Sequence, residues 1–202
     1  LATDYGTVGI GNSGDAANAV DDITPTAFEE ANGSNSGSYS SDVGAGMDGS
    51  MSFSYGNGDL FGTGVSVAFN YYPRLDGTTN NEKGQSGDTN ANTSSAQSYN
   101  VGVPLAGLPI IGNTVLGGIK VTAGYNESVS RLTNGVALSG GTVAVNMPVG
   151  PLSIGFQKKA HQALDTGTAT AEATKAFYKD DVLGIAYAIN DDFALSYNLY
   201  ES

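Results

Sequence analysis

Residues 182–202 read VLGIAYAIN-DD-FALSYNLYES, and how this stretch divides its side chains decides the fold. Leu183, Ile185, Tyr187 and Ile189 alternate with Gly184, Ala186 and Ala188. Past Asp191 and Asp192, Phe193, Leu195, Tyr197 and Leu199 alternate with Ala194, Ser196, Asn198 and Tyr200. Successive side chains of a strand point to opposite faces. The stretch therefore reads as a hairpin whose strands each have one bulky apolar face and one small or polar face. Two environments make such a hairpin. In a half-buried sheet the bulky face lies on a core. In the wall of a transmembrane barrel it lies on lipid, and the polar face lines a lumen.

The same alternation recurs upstream. Met51, Phe53 and Tyr55 share a face in 48–56, and Val65, Val67, Phe69 and Tyr71 share one in 61–72. Tyr99, Val101 and Val103 align in 97–103. Val115, Ile119, Val121, Ala123 and Tyr125 align in 114–126, the longest clean alternation. Val143, Val145 and Met147 mark a further strand, and Leu152, Ile154 and Phe156 its partner. With the Gly-rich strand 5–11, nine strands are expected, all-β and antiparallel, and amphipathic helices are scarce. The connections alternate in length: long at 12–46, short at 57–60, long at 73–96, medium at 104–113, long at 127–139, short at 148–150, long at 160–174 and short at 190–191. Long loops at one end and tight turns at the other is the layout of an outer-membrane barrel. A sandwich has no reason to sort its loops this way.

Composition agrees. Charged residues are 14 % of the chain, against about 25 % in an average soluble domain, while Gly (29) and Tyr (11) are abundant and Trp is absent. The mean hydropathy of −0.14 suits strands that are half polar. The stretch 99–119 is apolar and uncharged but is broken by Pro104, Pro109 and several glycines, so it cannot be a spanning helix. With no Cys, disulfides and thiolate metal sites are excluded. A net charge of −12 argues against nucleic acid and anionic membrane surfaces and fits the passage of cations. Tyr55, Tyr71, Tyr125, Tyr187 and Tyr197 all fall on the bulky face, most near a strand end. A ring in lipid with its hydroxyl among headgroups makes an aromatic girdle. In a soluble core each hydroxyl would need a buried partner, and cross-strand aromatic packing in a sandwich is the alternative reading.

No enzyme is expected. His161 is a lone histidine in a loop, and no Ser/His/Asp arrangement can be ranked. GNGDLFGTG has no helix after it to complete a phosphate loop. No cofactor or metal site is expected; acidic loops such as 76–88 offer oxygen ligands for weak Ca²⁺ binding, without the spacing of a calcium loop.

The segment DYGTVGIGNSGDAANAVDDITPTAFEEA (4–31) resembles the strand and inward-folded third loop of trimeric general porins of Gram-negative bacteria, in particular the alphaproteobacterial type. The resemblance extends over nearly the whole chain as pattern. It implies a transmembrane antiparallel barrel of sixteen strands, a homotrimer embedded in outer-membrane lipid and lipopolysaccharide, and passive diffusion of small hydrophilic solutes. It makes 1–202 one domain, with 12–46 as the inward-folded constriction loop. Carried over, the acidic residues of that loop are Asp15, Asp21, Asp22, Glu29 and Glu30, facing basic side chains on the wall. The structural alternative has Asp22 capping a short helix that begins near Pro25. Strand parity gives the basic wall residues: Lys120 on the polar face in mid-strand, Arg74 towards the mouth, and Lys159; Lys158 falls on the bulky face and snorkels. Nine strands cannot close an antiparallel barrel, and the chain lacks the C-terminal aromatic residue of porins. It is therefore expected to be an interior segment of a longer porin chain. The rival class is a soluble or surface-displayed β-protein, an adhesin or S-layer-like module with recognition loops. A smaller, specific transporter barrel is a third.

Overall fold

The computed structural model describes residues 1–12, 14–20, 23–25, 51–73, 95–107, 115–129, 137–164 and 175–201. Its strands are β1 (Ala2–Thr3), β2 (Gly6–Asn12), β3 (Met51–Asn57), β4 (Ser66–Tyr72), β5 (Ser95–Pro104), β6 (Lys120–Val129), β7 (Ala137–Val149), β8 (Leu152–Leu164), β9 (Lys175–Asn190) and β10 (Phe193–Glu201). They form one antiparallel sheet in which each strand pairs with its neighbours in sequence. Among the described residues, β1 and β10 are its two edges, so the sheet is not closed. The only helical elements there are short 3-10 turns.

Three expectations about strand bounds are corrected. Among the described residues ten strands form, not nine, because Ala2 and Thr3 fold back to pair with Thr7 and Gly6. The strand expected over 61–72 starts at Ser66. Before it, Leu60–Gly62 makes a 3-10 turn in which Phe61 has a φ of 56°. The strand expected over 114–126 starts at Lys120, after a 3-10 turn at Val115–Gly118. In both places the alternation runs on past the strand end, from Val65 to Phe61 and from Ile119 to Val115, but the chain is turning and the periodicity is incidental.

Each pair of strands is held by a two-sided ladder, and the faces sort as the alternation requires. Phe53, Tyr71, Tyr99, Val101, Tyr125, Val143, Phe156, Tyr187, Leu195, Tyr197 and Leu199 are exposed on the bulky face. On the other face Ser52, Asn70, Ser98, Asn126, Thr142, Gln157, Lys159, His161 and Asp180 are buried. The buried apolar set among the described residues is small: Ala16, Ala17, Val20, Tyr72, Ala96, Ala144 and Val182. Hydrophobicity is inverted relative to a soluble domain, which buries its large aliphatic and aromatic side chains.

The β3–β4 turn shows how tightly the short connections are fixed. The Asp59 amide donates to Asn57 Oδ1 (2.9 Å), the Gly64 amide to Asp59 Oδ1 (2.6 Å) and the Thr63 hydroxyl to the Leu60 carbonyl (2.6 Å). The Leu60 amide closes the turn on the Val65 carbonyl (2.7 Å). This network forces Phe61 into the left-handed region, where a bulky side chain is strained. Phe61 is 81 % exposed, so no packing is lost on replacing it. Phe61→Gly is expected to stabilise the protein by about 1 kcal/mol through relief of that strain. The measurement is the urea midpoint of the folded protein in detergent, and a lower midpoint contradicts the strain argument.

Candidate functional site

What covers the polar face is the chain's own segment after β2. Its described part, 14–20 and 23–25, crosses the sheet from β4 to β10, tethered at each step by a wall side chain. Tyr72 donates its hydroxyl to the Gly14 carbonyl (3.1 Å). Asn100 Nδ2 donates to the Ala16 carbonyl (2.6 Å), Gln157 Nε2 to the Val20 carbonyl (2.8 Å) and Asn146 Nδ2 to the Ile23 carbonyl (2.8 Å). Gln157 Nε2 also donates to Thr142 Oγ1 (3.0 Å), which fixes its rotamer. The pattern is uniform: neutral wall donors bind backbone carbonyls of a segment that, among its described residues, forms one short 3-10 turn, Asn18–Val20. A buried carbonyl without a partner is costly, and these amides remove that cost.

Asp15 is the charged pin of the assembly. Its carboxylate accepts hydrogen bonds from the Ser98 hydroxyl, from the Ala17 amide (2.8 Å) and from Asn126 Nδ2 (3.2 Å), and it is buried. The Ala17 amide is also 2.7 Å from Ser98 Oγ. Asp15 was expected to face the lumen as a constriction carboxylate; the structure uses its described bonds to bind the segment to β5 and β6. Asp21, Asp22, Glu29, Glu30 and Arg74 lie outside the described residues, as does most of the expected short helix.

The basic residues separate. Lys159 lies on the polar face and is 2 % exposed. Its ladder partner on β9 is Asp180, 1 % exposed, whose oxygens accept no hydrogen bond. Next along the same two strands, His161 stacks on Tyr178 with ring centroids 5.2 Å apart. Sequence reasoning placed His161 in a loop and left Asp180 out; strand parity from Lys159 on to His161 and from Val182 back to Asp180 would have put both on the polar face. Lys120 is on the polar face too, with its side chain over Gly102, but it is the first residue of β6 rather than a mid-strand position, and it is exposed. Lys158, on the bulky face, pairs with Asp181 at 3.1 Å.

The bulky face carries the expected tyrosines, and Tyr99, which was not among them. Phe69 and Tyr99 have ring centroids 5.1 Å apart, and Tyr99 and Tyr125 6.4 Å. The Tyr99 hydroxyl donates to Gln97 Oε1 (2.8 Å) and the Tyr125 hydroxyl to Glu127 Oε2 (2.8 Å). Both hydroxyls thus point out of the apolar band towards the long-connection end. Tyr55 donates to the Tyr5 carbonyl (2.6 Å).

The apolar band runs obliquely to the ladder. One ladder row joins Tyr55, Phe69, Tyr99, Tyr125, Gly141, Ala160 and Lys179. On β6 the band reaches this row at Tyr125; on β9, three strands on, it stops at Leu183, four residues from Lys179. At its other limit it ends at Tyr55 on β3 and, six strands on, at Ile189, ten residues from Lys179. Both limits drift by about 1.5 residues per strand, and with a rise of ~3.3 Å per residue and ~4.8 Å between strands the band makes an angle of about 45° with the ladder rows.

The covering segment drifts in the same direction on the opposite face. It sits at Ser98 and Asn126 on β5 and β6, at Gln157 on β8, and reaches Gly184 on β9. Opposite each of these positions is the same upper limit of the band: Tyr99, Tyr125, Phe156 and Leu183. On these four strands the segment stays within one residue of the band's upper limit, whereas on β7 its tether Asn146 lies three residues from Val143, in the ladder row that runs through Gly155 and Gly184 to Asn198.

No protein-family model, curated protein or solved structure matches the chain. Asp15→Ala is expected to raise hydrogen exchange of the 16–20 amides by about tenfold, the loss of a charge-assisted anchor, with Asp15→Asn in between. Exchange equal to that of the unmodified protein would remove Asp15 as the pin.

Proposed function

We propose that this chain forms the wall of an outer-membrane porin, a passive water-filled channel for small hydrophilic solutes with a preference for cations. The observation that carries this reading is the oblique course of the apolar band across the ladder, followed on the opposite face by the covering segment from β5 to β8. In a barrel the strands tilt by about 35–45° from the axis, so a lipid belt must cross the ladder obliquely, and the measured drift matches that tilt. A segment that follows the same oblique course on the inner face runs around the lumen at one depth. There it narrows the passage without blocking it along its length.

Three features support the reading. The exposed band is large and continuous over β3–β10, beyond the patches a water-soluble monomer leaves uncovered. The tyrosine hydroxyls leave the band for polar neighbours at its upper rim, as at a headgroup boundary. The charge composition of the covering connection fits a cation filter. Besides the buried pin Asp15, residues 13–50, the connection whose described part lies on the polar face, include Asp21, Asp22, Glu29, Glu30, Asp42 and Asp48 and no Lys or Arg. In a narrow low-dielectric passage such a surplus raises the local cation concentration. A homotrimer and contact with lipopolysaccharide remain part of this proposal through the porin resemblance. The adhesin or S-layer-like reading requires the bulky side chains to meet a second apolar layer. Among the described residues they stand exposed on a single sheet.

The test is single-channel recording in planar bilayers with the protein folded in detergent and a salt gradient across the membrane. A stable open pore with a cation-selective reversal potential is expected; absence of a pore sinks the porin reading. Neutralising Asp21, Asp22, Glu29 and Glu30 together is expected to move the reversal potential towards zero, and an unchanged potential would take the cation filter away from 12–46. On the outer face, Val145→Lys is expected to lower folding stability in lipid vesicles by about 2–4 kcal/mol, the cost of a lysine near the bilayer midplane. An equal stability would show that the band does not face lipid.

A further inference from the structure

The described end of the covering segment sits on an unusual row of the wall. Asn146 on β7, Gly155 on β8, Gly184 on β9 and Asn198 on β10 are consecutive ladder partners. Asn146 donates to the Ile23 carbonyl at 2.8 Å. Asn198, with its amide nitrogen turned to the segment, donates to the Pro25 carbonyl at 3.2 Å. Between these two donors the glycines leave a gap, and Pro25 fills it. A Cβ on Gly155 would collide with Pro25 Cδ and Asn146 Oδ1. A Cβ on Gly184 would lie 2.7 Å from the Pro25 carbonyl oxygen and 2.9 Å from Thr24 Cβ.

Glycine inside a strand weakens it and needs a reason. Neither glycine has a backbone conformation that excludes other residues, since both lie outside the positive-φ set. The reason is therefore space. The choice of Pro25 fits the same seat: the wall here supplies N–H donors, and proline brings a carbonyl to accept them but no N–H that would need an acceptor. Its ring also removes a rotatable φ from the seated segment.

We propose that Gly155 and Gly184, flanked by Asn146 and Asn198, form a socket for Pro25 that fixes how far the covering segment stands from the wall, and so sets the free cross-section of the pore. The socket rests on the porin reading for its consequence but not for its existence. Gly155 and Gly184 are positioning residues: they act through Pro25 and touch no solute.

The chain has no cysteine, so Thr24→Cys gives a unique thiol at a buried position next to the seat. In this background the socket is read by the rate of thiol labelling with a water-soluble maleimide. Gly155→Ala and Gly184→Ala are each expected to speed labelling at least about tenfold, because an overpacked contact must open. Pro25→Gly, which leaves the wall intact, is expected to do the same. Adding Gly155→Ala to Pro25→Gly is expected to speed labelling by less than Gly155→Ala does alone, because the ring is gone and only the contact with Asn146 Oδ1 remains. Gly184→Ala is expected to keep its effect there, since it meets backbone and Thr24. Unchanged labelling in Gly155→Ala and Gly184→Ala overturns the socket. The same alanine variants without the cysteine are then recorded in bilayers. A single-channel conductance shifted from that of the unmodified protein supports control of the cross-section. Faster labelling with unaltered conductance overturns that control while leaving the seat. An unmodified protein that makes no pore counts against the porin reading and the pore-setting role together, and labelling still decides the socket.

Discussion

The covering of the polar face depends on hydrogen bonds between wall amides and the carbonyls of a segment whose described part forms one short 3-10 turn. A sheet face made of Ser, Asn, Thr and Gln cannot form an apolar core, and its amides must be solvated or paired. Here Asn100, Asn146 and Gln157 are paired with the backbone that crosses them. Each such bond contributes about 1 kcal/mol net, far less than the burial of a large aliphatic side chain would. The covered face is thus satisfied rather than strongly stabilised. Whatever holds the sheet together beyond its ladder must act on the other face, where the large apolar side chains are.

That division makes the two faces geometrically dependent on each other. A segment crossing a sheet straight along its ladder rows would meet the outer band at a different height on every strand. The observed drift avoids this. The wall donors are staggered from Ser98 and Asn126 to Gln157, so that the segment descends the ladder with the band there, before its described end follows the single row from Asn146 to Asn198. The stagger is written in the sequence as polar residues at shifting positions along successive strands. It has meaning only for strands inclined to a common level. A flat sheet with strands perpendicular to its belt has no use for it.

This explains how much was legible in advance. The alternation in 182–202 gave the hairpin and its faces, because period two is local and needs no partner. The sorting of long and short connections was equally local. The bounds near 61 and 115 were not, since hydrogen bonds in the turns override the pattern there and Phe61 takes a conformation its side chain disfavours. Asp15 was visible as an acid in the right segment, but its role depends on Ser98 and Asn126, residues 83 and 111 positions away. Gly155 and Gly184 were visible as glycines in strands, which is a cue for a close backbone approach; what approaches could not be read without the register. Asp180 was missed because the hairpin was started at Val182, seven residues after β9 begins at Lys175.

The docking chemistry also separates two tasks that a single set of charges would confuse. The row that seats Pro25 is neutral, and so are the donors to Ala16, Val20 and Ile23. Hydrogen bonds between neutral groups are not weakened by screening, whereas the field of exposed carboxylates falls off within about 8 Å at physiological ionic strength. The one ionisable group among the described anchors, Asp15, is buried, where screening acts least. On the proposed function, the width of the passage is then held by contacts indifferent to salt, and the preference for cations comes from carboxylates whose reach varies with it. Pore size and ion preference become independent properties of one segment, because the groups that fix its position are not the groups that create its field.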